Sequence, residues 1–246
     1  MATERQKNYM IFRRPRTLTI KALNNMYVIN TISRQALADY RGSLQTISLS
    51  KIGFGIPVIS GEQIVVARTK SKIFQLLDEA VKCDLYKQAL VSAVTVVEDY
   101  LIQMLDIILK WYPEKLAIGE RKIDISMVVE AESLDEVLHR IIEKQINSAF
   151  YASPAKYFEY LDDTLAIKLP KEVKTAYIEC KASRDVIIHN SGIANPTYIR
   201  KAGKVARAKA EEEIPIDESY FNGFITSMKR LVVAVYKQLL DKYGNV

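Results

Sequence analysis

One short stretch of this chain gathers residues with chemical potential: Ser183-Arg184-Asp185-Val186-Ile187-Ile188-His189-Asn190-Ser191-Gly192. A guanidinium clamps phosphate oxygens in a planar fork, and a histidine exchanges protons near neutral pH. His189 is one of only two histidines in 246 residues. Arg184 and His189 together could cleave RNA without a metal, one holding the phosphate and the other moving a proton.

Helix geometry limits how these groups meet. Residues five apart on an ideal helix point roughly 140° apart, so Arg184 and His189 do not share a face. They converge only through the reach of the arginine, an opened last turn, or the second subunit of a dimer. Asp185 and His189, four apart, do share a face, and Asp185 is placed to orient the imidazole. The same residues also fit a purely structural role. Asp185 and His189 would then stabilise the helix end, with Arg184 paired to Glu179 or to a polar line on an earlier helix.

That line is Ser92, Thr95, Asp99, Gln103 and Asp106, spaced to lie along one helical face. It reads as the wet side of its helix, or as the side from which Asp99 holds Arg184. Glu98, one position away, is the other candidate for that part. A basic run at Arg200, Lys201, Lys204 and Arg207 could meet RNA phosphates, or it is a solvated segment balanced by Glu211, Glu212 and Glu213. His139 shares helical spacing with Asp135 and Glu143, opposite the apolar residues, and reads as solvated.

The elements that must position these groups are helical. Ile73, Leu76, Leu77, Ala80 and Val81 form an apolar stripe, and Asp84 to Trp111 reads as a long central helix closed by Pro113. Residues 114–132 read as a connection, with extended structure expected at Ile123 to Val129. Ser133 and Glu136 form a capping box, followed by Val137, Leu138, Ile141, Ile142 and Ile146 as a buried face. Ser153-Pro154 predicts a cap and first turn for a helix through Leu165. Pro170 and Glu172 introduce the helix carrying the key stretch, which stops near Asn190 and Gly192. Asp217 predicts the cap of a last helix through Tyr243, with Phe221, Phe224, Ile225, Met228, Leu231, Val232, Val235 and Leu239 on its apolar side.

Residues 1–70 read differently, as an N-terminal extension of mixed, partly extended structure. Thr17-Leu18-Thr19-Ile20 and Thr46-Ile47-Ser48-Leu49 alternate as half-buried strands do, with a helix expected over Ala22 to Tyr40. Gly53-Phe54-Gly55-Ile56-Pro57 reads as a breaker. The fold class expected is therefore all-α, a bundle of about five main helices over 71–246 behind a mixed arm.

Composition is compatible with this and narrows the classes. A 49% hydrophobic and 26% charged content is ordinary for a globular chain. No apolar run reaches membrane-spanning length, and no secretory signal is visible at the start, so a cytoplasmic location is expected. Cys83 and Cys180 read as buried free thiols. Two histidines and two scattered cysteines give no zinc-ligand cluster, no phosphate loop or nucleophile elbow is present, and no cofactor is expected. A net charge of +6 permits a nucleic-acid partner without requiring one.

In this setting Arg184-Asp185-x-x-x-His189-Asn190 resembles the signature of the HEPN superfamily, an arginine and a histidine separated by four to six residues late in a helical domain. The continuation Ser191-Gly192-Ile193-Ala194-Asn195 also looks like stand-alone prokaryotic members. The resemblance covers roughly 71–243 by helix pattern and about ten residues by motif. It implies an all-α domain that dimerises so that two motif copies line one cleft. It further implies metal-independent endoribonuclease action of a defence or toxin type, with an antitoxin or other defence-system protein as a further partner. By position, His189 would transfer a proton from a ribose 2′-OH and Arg184 would hold the scissile phosphate, with Asp185 and Asn190 beside them. The rival expectation is a non-catalytic helical module binding nucleotide, RNA or a partner protein.

Overall fold

A computed structural model describes residues 4–117, 128–151 and 154–244. It is 76% helical with one small two-stranded sheet, so the chain is all-α in class. The elements are α1 (Glu4–Thr46), β1 (Lys51–Pro57), β2 (Gln63–Thr69), α2 (Lys70–Glu79), α3 (Leu85–Trp111), α4 (Leu134–Tyr151), α5 (Pro154–Leu165), α6 (Lys171–His189), α7 (Pro196–Ala202) and α8 (Glu218–Tyr243).

The helix α3 is the axis of the core. Leu90, Val94, Val97, Leu101, Met104, Leu105 and Ile108 are fully buried along it, and α1, α4, α5, α6 and α8 all pack against it. Its end follows from chemistry, since Pro113 cannot continue the hydrogen-bond ladder. The apolar stripe of α8 is buried from Phe221 to Leu239, and the Asp217 side chain caps its start by accepting from the Tyr220 N–H at 2.8 Å. At α4, Ser133 Oγ accepts the Glu136 N–H at 3.2 Å, while the Glu136 carboxylate reaches back to the Glu132 N–H at 2.8 Å. His139 is exposed on this helix, 3.8 Å from Glu143. The cap expected at Ser153 and the extended stretch expected over residues 123–127 lie outside the described residues, while Val128 and Val129 are helical.

The first seventy residues correct the strand positions expected there. Thr17 to Ile20 lies inside α1, and Thr46 is its last residue, with Ile47 to Leu49 irregular. The four-residue alternation Thr-Leu-Thr-Ile is too short to define a period. Over a longer window Phe12, Thr19, Leu23 and Asn30 recur at helical spacing, and all four are buried. Even Pro15 is accommodated within the helix. The strands fall later, at the segment expected to be a breaker, and pair antiparallel from Lys51↔Thr69 to Pro57↔Gln63. Gly53 and Gly55 serve the hairpin, because a Cβ at either would meet Val65 or Gln63 of the opposite strand within 2.9 Å.

Between α2 and α3 the ladder widens into a π-helical turn over Ala80–Asp84. Such a turn shifts the regular bonding pattern and exposes carbonyls. Two side chains of α1, four residues apart, use carbonyls also four apart. Arg34 Nε donates to Val81 O at 3.0 Å, and Asn30 Nδ2 donates to Leu85 O at 2.8 Å. The long first helix is thereby latched to the helix that runs through the core.

Candidate functional site

The last two turns of α6 form one wall of a groove of about 640 Å³. Arg184, Asp185 and His189 all line it, joined by Lys181 one turn earlier. Glu98 and Ile102 of α3 form a second wall, and Asn147 and Phe150 of α4 a third. The far side comes from the start of α7, with Thr197, Tyr198 and Lys201.

Local sequence explains the turn that shapes this groove. Asn190 ends α6, its Nδ2 donating to Ile193 O at 2.5 Å, and Ser191 and Gly192 both take positive φ. Glycine suits that left-handed position, and the Gly192 N–H returns to Val186 O at 3.1 Å. The chain then restarts as a helix at once. Asn195 Oδ1 caps α7 by accepting from the Tyr198 N–H at 2.9 Å, with Pro196 at the first helical position. Asn190 therefore acts on the backbone and does not line the groove.

Charges in the groove are linked into one chain. Glu98 accepts from Lys181 through one oxygen and from Arg184 Nη2 through the other, the latter at 2.5 Å. Arg184 Nη1 lies 3.3 Å from Asp185, whose second oxygen accepts from Lys201 Nζ at 2.9 Å. Three cations against two carboxylates leave positive charge in the groove. Glu98 thus takes the place considered for either acid. Asp99 is exposed and accepts from Gln103 at 2.6 Å. Ser92, Thr95 and Gln103 are exposed as well, which makes that line the wet side of α3. Asp185 is engaged by cations, and no hydrogen bond joins it to His189 among the described residues. His189 is exposed at the groove's edge.

Beneath the groove a second set of residues holds α6 in place. Glu179 is buried and carries no salt bridge among the described residues. Its Oε1 accepts from Ser183 Oγ at 2.6 Å and from the Tyr198 hydroxyl at 3.3 Å, and its Oε2 accepts from the Tyr220 hydroxyl at 2.7 Å. These hydroxyls join α6 to α7 and α8 and satisfy a carboxylate that would otherwise be costly to bury. Glu179 is therefore not the partner of Arg184. Burial pushes the Tyr220 hydroxyl well above its ordinary pKa, so it remains a donor to this carboxylate. Burial likewise pushes the neighbouring Cys180 thiol up to about 12.

Of the basic run, only Lys201 lines the groove. Arg200 and Lys204 are exposed elsewhere, and the Arg207 guanidinium lies 3.4 Å from the Tyr220 ring centroid, a cation–π contact at the outer end of the Glu179 network. Sequence reasoning missed Lys181 and the contribution of α4. Lys181 had a signal, because it sits one turn before Arg184 and Asp185 on the same helix face. Nothing in the sequence placed Asn147 and Phe150 opposite it.

No family model matches the chain, and no curated protein or solved structure does either. Among the described residues no group of three His, Cys, Asp or Glu side chains could hold a metal ion, and no helix is long and apolar enough to cross a membrane.

Proposed function

We propose that the protein is a metal-independent endoribonuclease of a prokaryotic defence or toxin type, acting as a homodimer. The observation carrying this reading is that Arg184 and His189, five residues apart on one helix, line the same groove together with Lys181 and Lys201. The arginine reaches across the groove to Glu98 of α3. Similarity of the motif to that of HEPN ribonucleases adds to it.

The chemistry assigns each group one task. His189 takes the proton from a ribose 2′-OH, and the 2′ oxygen attacks the adjacent phosphorus. The P–O2′ bond forms while the P–O5′ bond breaks, and the imidazolium returns its proton to the departing 5′ oxygen. The products are a 2′,3′-cyclic phosphate and a 5′-OH. Arg184, held by Glu98 and Asp185, meets the charge that builds on the phosphate oxygens, while Lys181 and Lys201 attract the strand. Purified protein incubated with total RNA and EDTA tests the reading beside an Arg184→Ala/His189→Ala variant. Cleavage by the wild type alone, leaving cyclic phosphate ends, supports it. Cleavage by both, or by neither, counts against it.

One observation favours a second reading. Both nitrogens at the end of the Arg184 guanidinium face carboxylates of the same chain, as they would in a helical module that binds RNA, nucleotide or an antitoxin-like protein without cutting anything. Retention of RNA binding without cleavage would select this alternative.

A further inference from the structure

The outward face of α1 carries an apolar seam that the described residues leave largely exposed. Leu18, Ala22, Asn25, Ile29, Ile32 and Ala36 recur with spacings of 4, 3, 4, 3 and 4, the alternation of a coiled-coil seam. This face is separate from the one that packs inward through Phe12, Leu23 and Asn30. Leu18, Ile29 and Ile32 are 56%, 63% and 62% exposed, unusual for large apolar residues in regular register. A shallow depression of about 620 Å³ adjoins the seam at Ile32 and Ala36.

We infer that this seam is a homodimer interface in which α1 of one copy packs antiparallel against α1 of a second copy. The occupant follows from size and charge. A two-fold axis passing near Tyr27 sets Leu18 opposite Ala36 of the second copy and Ile32 opposite its Ala22, large against small at these two steps, with Asn25 opposite Ile29 between them. The depression beside Ala36 then receives Leu18. The same axis brings Arg14 beside Asp39 of the second copy at both ends. A parallel pairing instead opposes each seam residue to itself, leaving Ala22 against Ala22 and Ala36 against Ala36 underfilled and setting Asp39 against Asp39.

The interface lies away from the groove. Trp111, which meets Phe12 of α1 with ring centroids 5.5 Å apart, and Glu98, which faces the groove, differ in direction by roughly 140° around α3. Each groove therefore stays open in the dimer, and the two do not merge into one cleft. The inference rests on α1 alone and stands whether or not the protein cuts RNA.

Sedimentation of the full chain tests it. The wild type is expected at twice the 28.0 kDa of one chain, and Ile29→Lys/Ile32→Lys, which touches only exposed positions, at the monomer mass with an unchanged circular-dichroism spectrum. Arg14→Glu raises the dimer dissociation constant about tenfold, and adding Asp39→Arg restores it. Orientation is read by oxidative cross-linking in a Cys83→Ser background. Leu18→Cys with Ala36→Cys gives a covalent dimer, since the two positions are about 27 Å apart within one helix and meet only across copies. A monomeric wild type at tens of micromolar, or Leu18→Cys cross-linking to itself, overturns the inference. A monomer that binds another protein through Ile29 and Ile32 overturns it as well.

Discussion

Glu98 of α3 accepts from Arg184 of α6 at 2.5 Å while its other oxygen binds Lys181. One carboxylate thus fixes two cations of the groove to the central helix, and it is only 15% exposed in its side chain. Removing one partner of such a pair leaves charge without compensation. Glu98→Ala is expected to destabilise the fold by about 2 kcal/mol, lowering the melting temperature by about 4–8 °C. A scanning-calorimetry value within a degree of wild type would mean the pair does not hold the groove.

His189 has the opposite profile. It is exposed, and its side chain has no hydrogen bond among the described residues. His189→Ala should leave the melting temperature within the range of ordinary surface changes, about 0.5 kcal/mol, yet slow RNA cleavage by about 10²–10⁴-fold. Equal losses of stability and activity would assign the histidine a structural role.

The buried Glu179 carboxylate gives a third expectation. Tyr220→Phe removes its shortest tyrosine donor, at 2.7 Å, and should cost about 1–3 kcal/mol for an under-bonded buried group. Tyr198→Phe removes a longer bond to Glu179 at 3.3 Å, but also the acceptor of the Arg207 N–H at 2.9 Å. The two losses together should cost a similar amount. Urea unfolding of both variants checks this, and wild-type midpoints in both would show that Ser183 alone satisfies the carboxylate.

Thiol chemistry reports on the same region. Burial raises the Cys180 pKa to about 12, so at pH 8 the group stays protonated and is a poor nucleophile. Cys83 is also raised by burial but is only half-buried. Native protein treated with a thiol reagent at pH 8 should modify Cys83 slowly and Cys180 only after denaturation. Rapid native labelling of Cys180, read by mass spectrometry, would show that the α6–α8 contact opens.

How much of this was legible in the sequence varies by element. The helices α3 and α8 declared themselves because nearly every turn contributes apolar residues at helical spacing. The first helix was hidden by Pro15, by its arginines and by two apolar faces, which blur any single period. Its strand-like tetrapeptide Thr17 to Ile20 was resolved only by the longer spacing of Phe12, Thr19 and Leu23. At the groove, the choice between Glu98 and Asp99 turned on about 100° of helix rotation. A sharper signal existed, since Glu98 interrupts the apolar positions Val94 and Ile102 four residues to either side. Of the three hydroxyls converging on Glu179, Ser183 lies four residues along the same helix, whereas Tyr198 and Tyr220 come from α7 and α8, and no local pattern could reveal those two.

The claim that Arg184 and His189 act on an RNA phosphate through the neighbouring 2′-OH is tested most directly with a chimeric substrate. A short RNA carrying the preferred cleavage site is compared with the same strand bearing one 2′-deoxy residue on the 5′ side of the scissile phosphate, both with EDTA. The account predicts that the all-RNA strand is cut by the wild type and not by His189→Ala, and that the deoxy substitution abolishes cutting at that bond. Cleavage that persists at the deoxy position or in the variant, or a wild type that cuts neither strand, would contradict it.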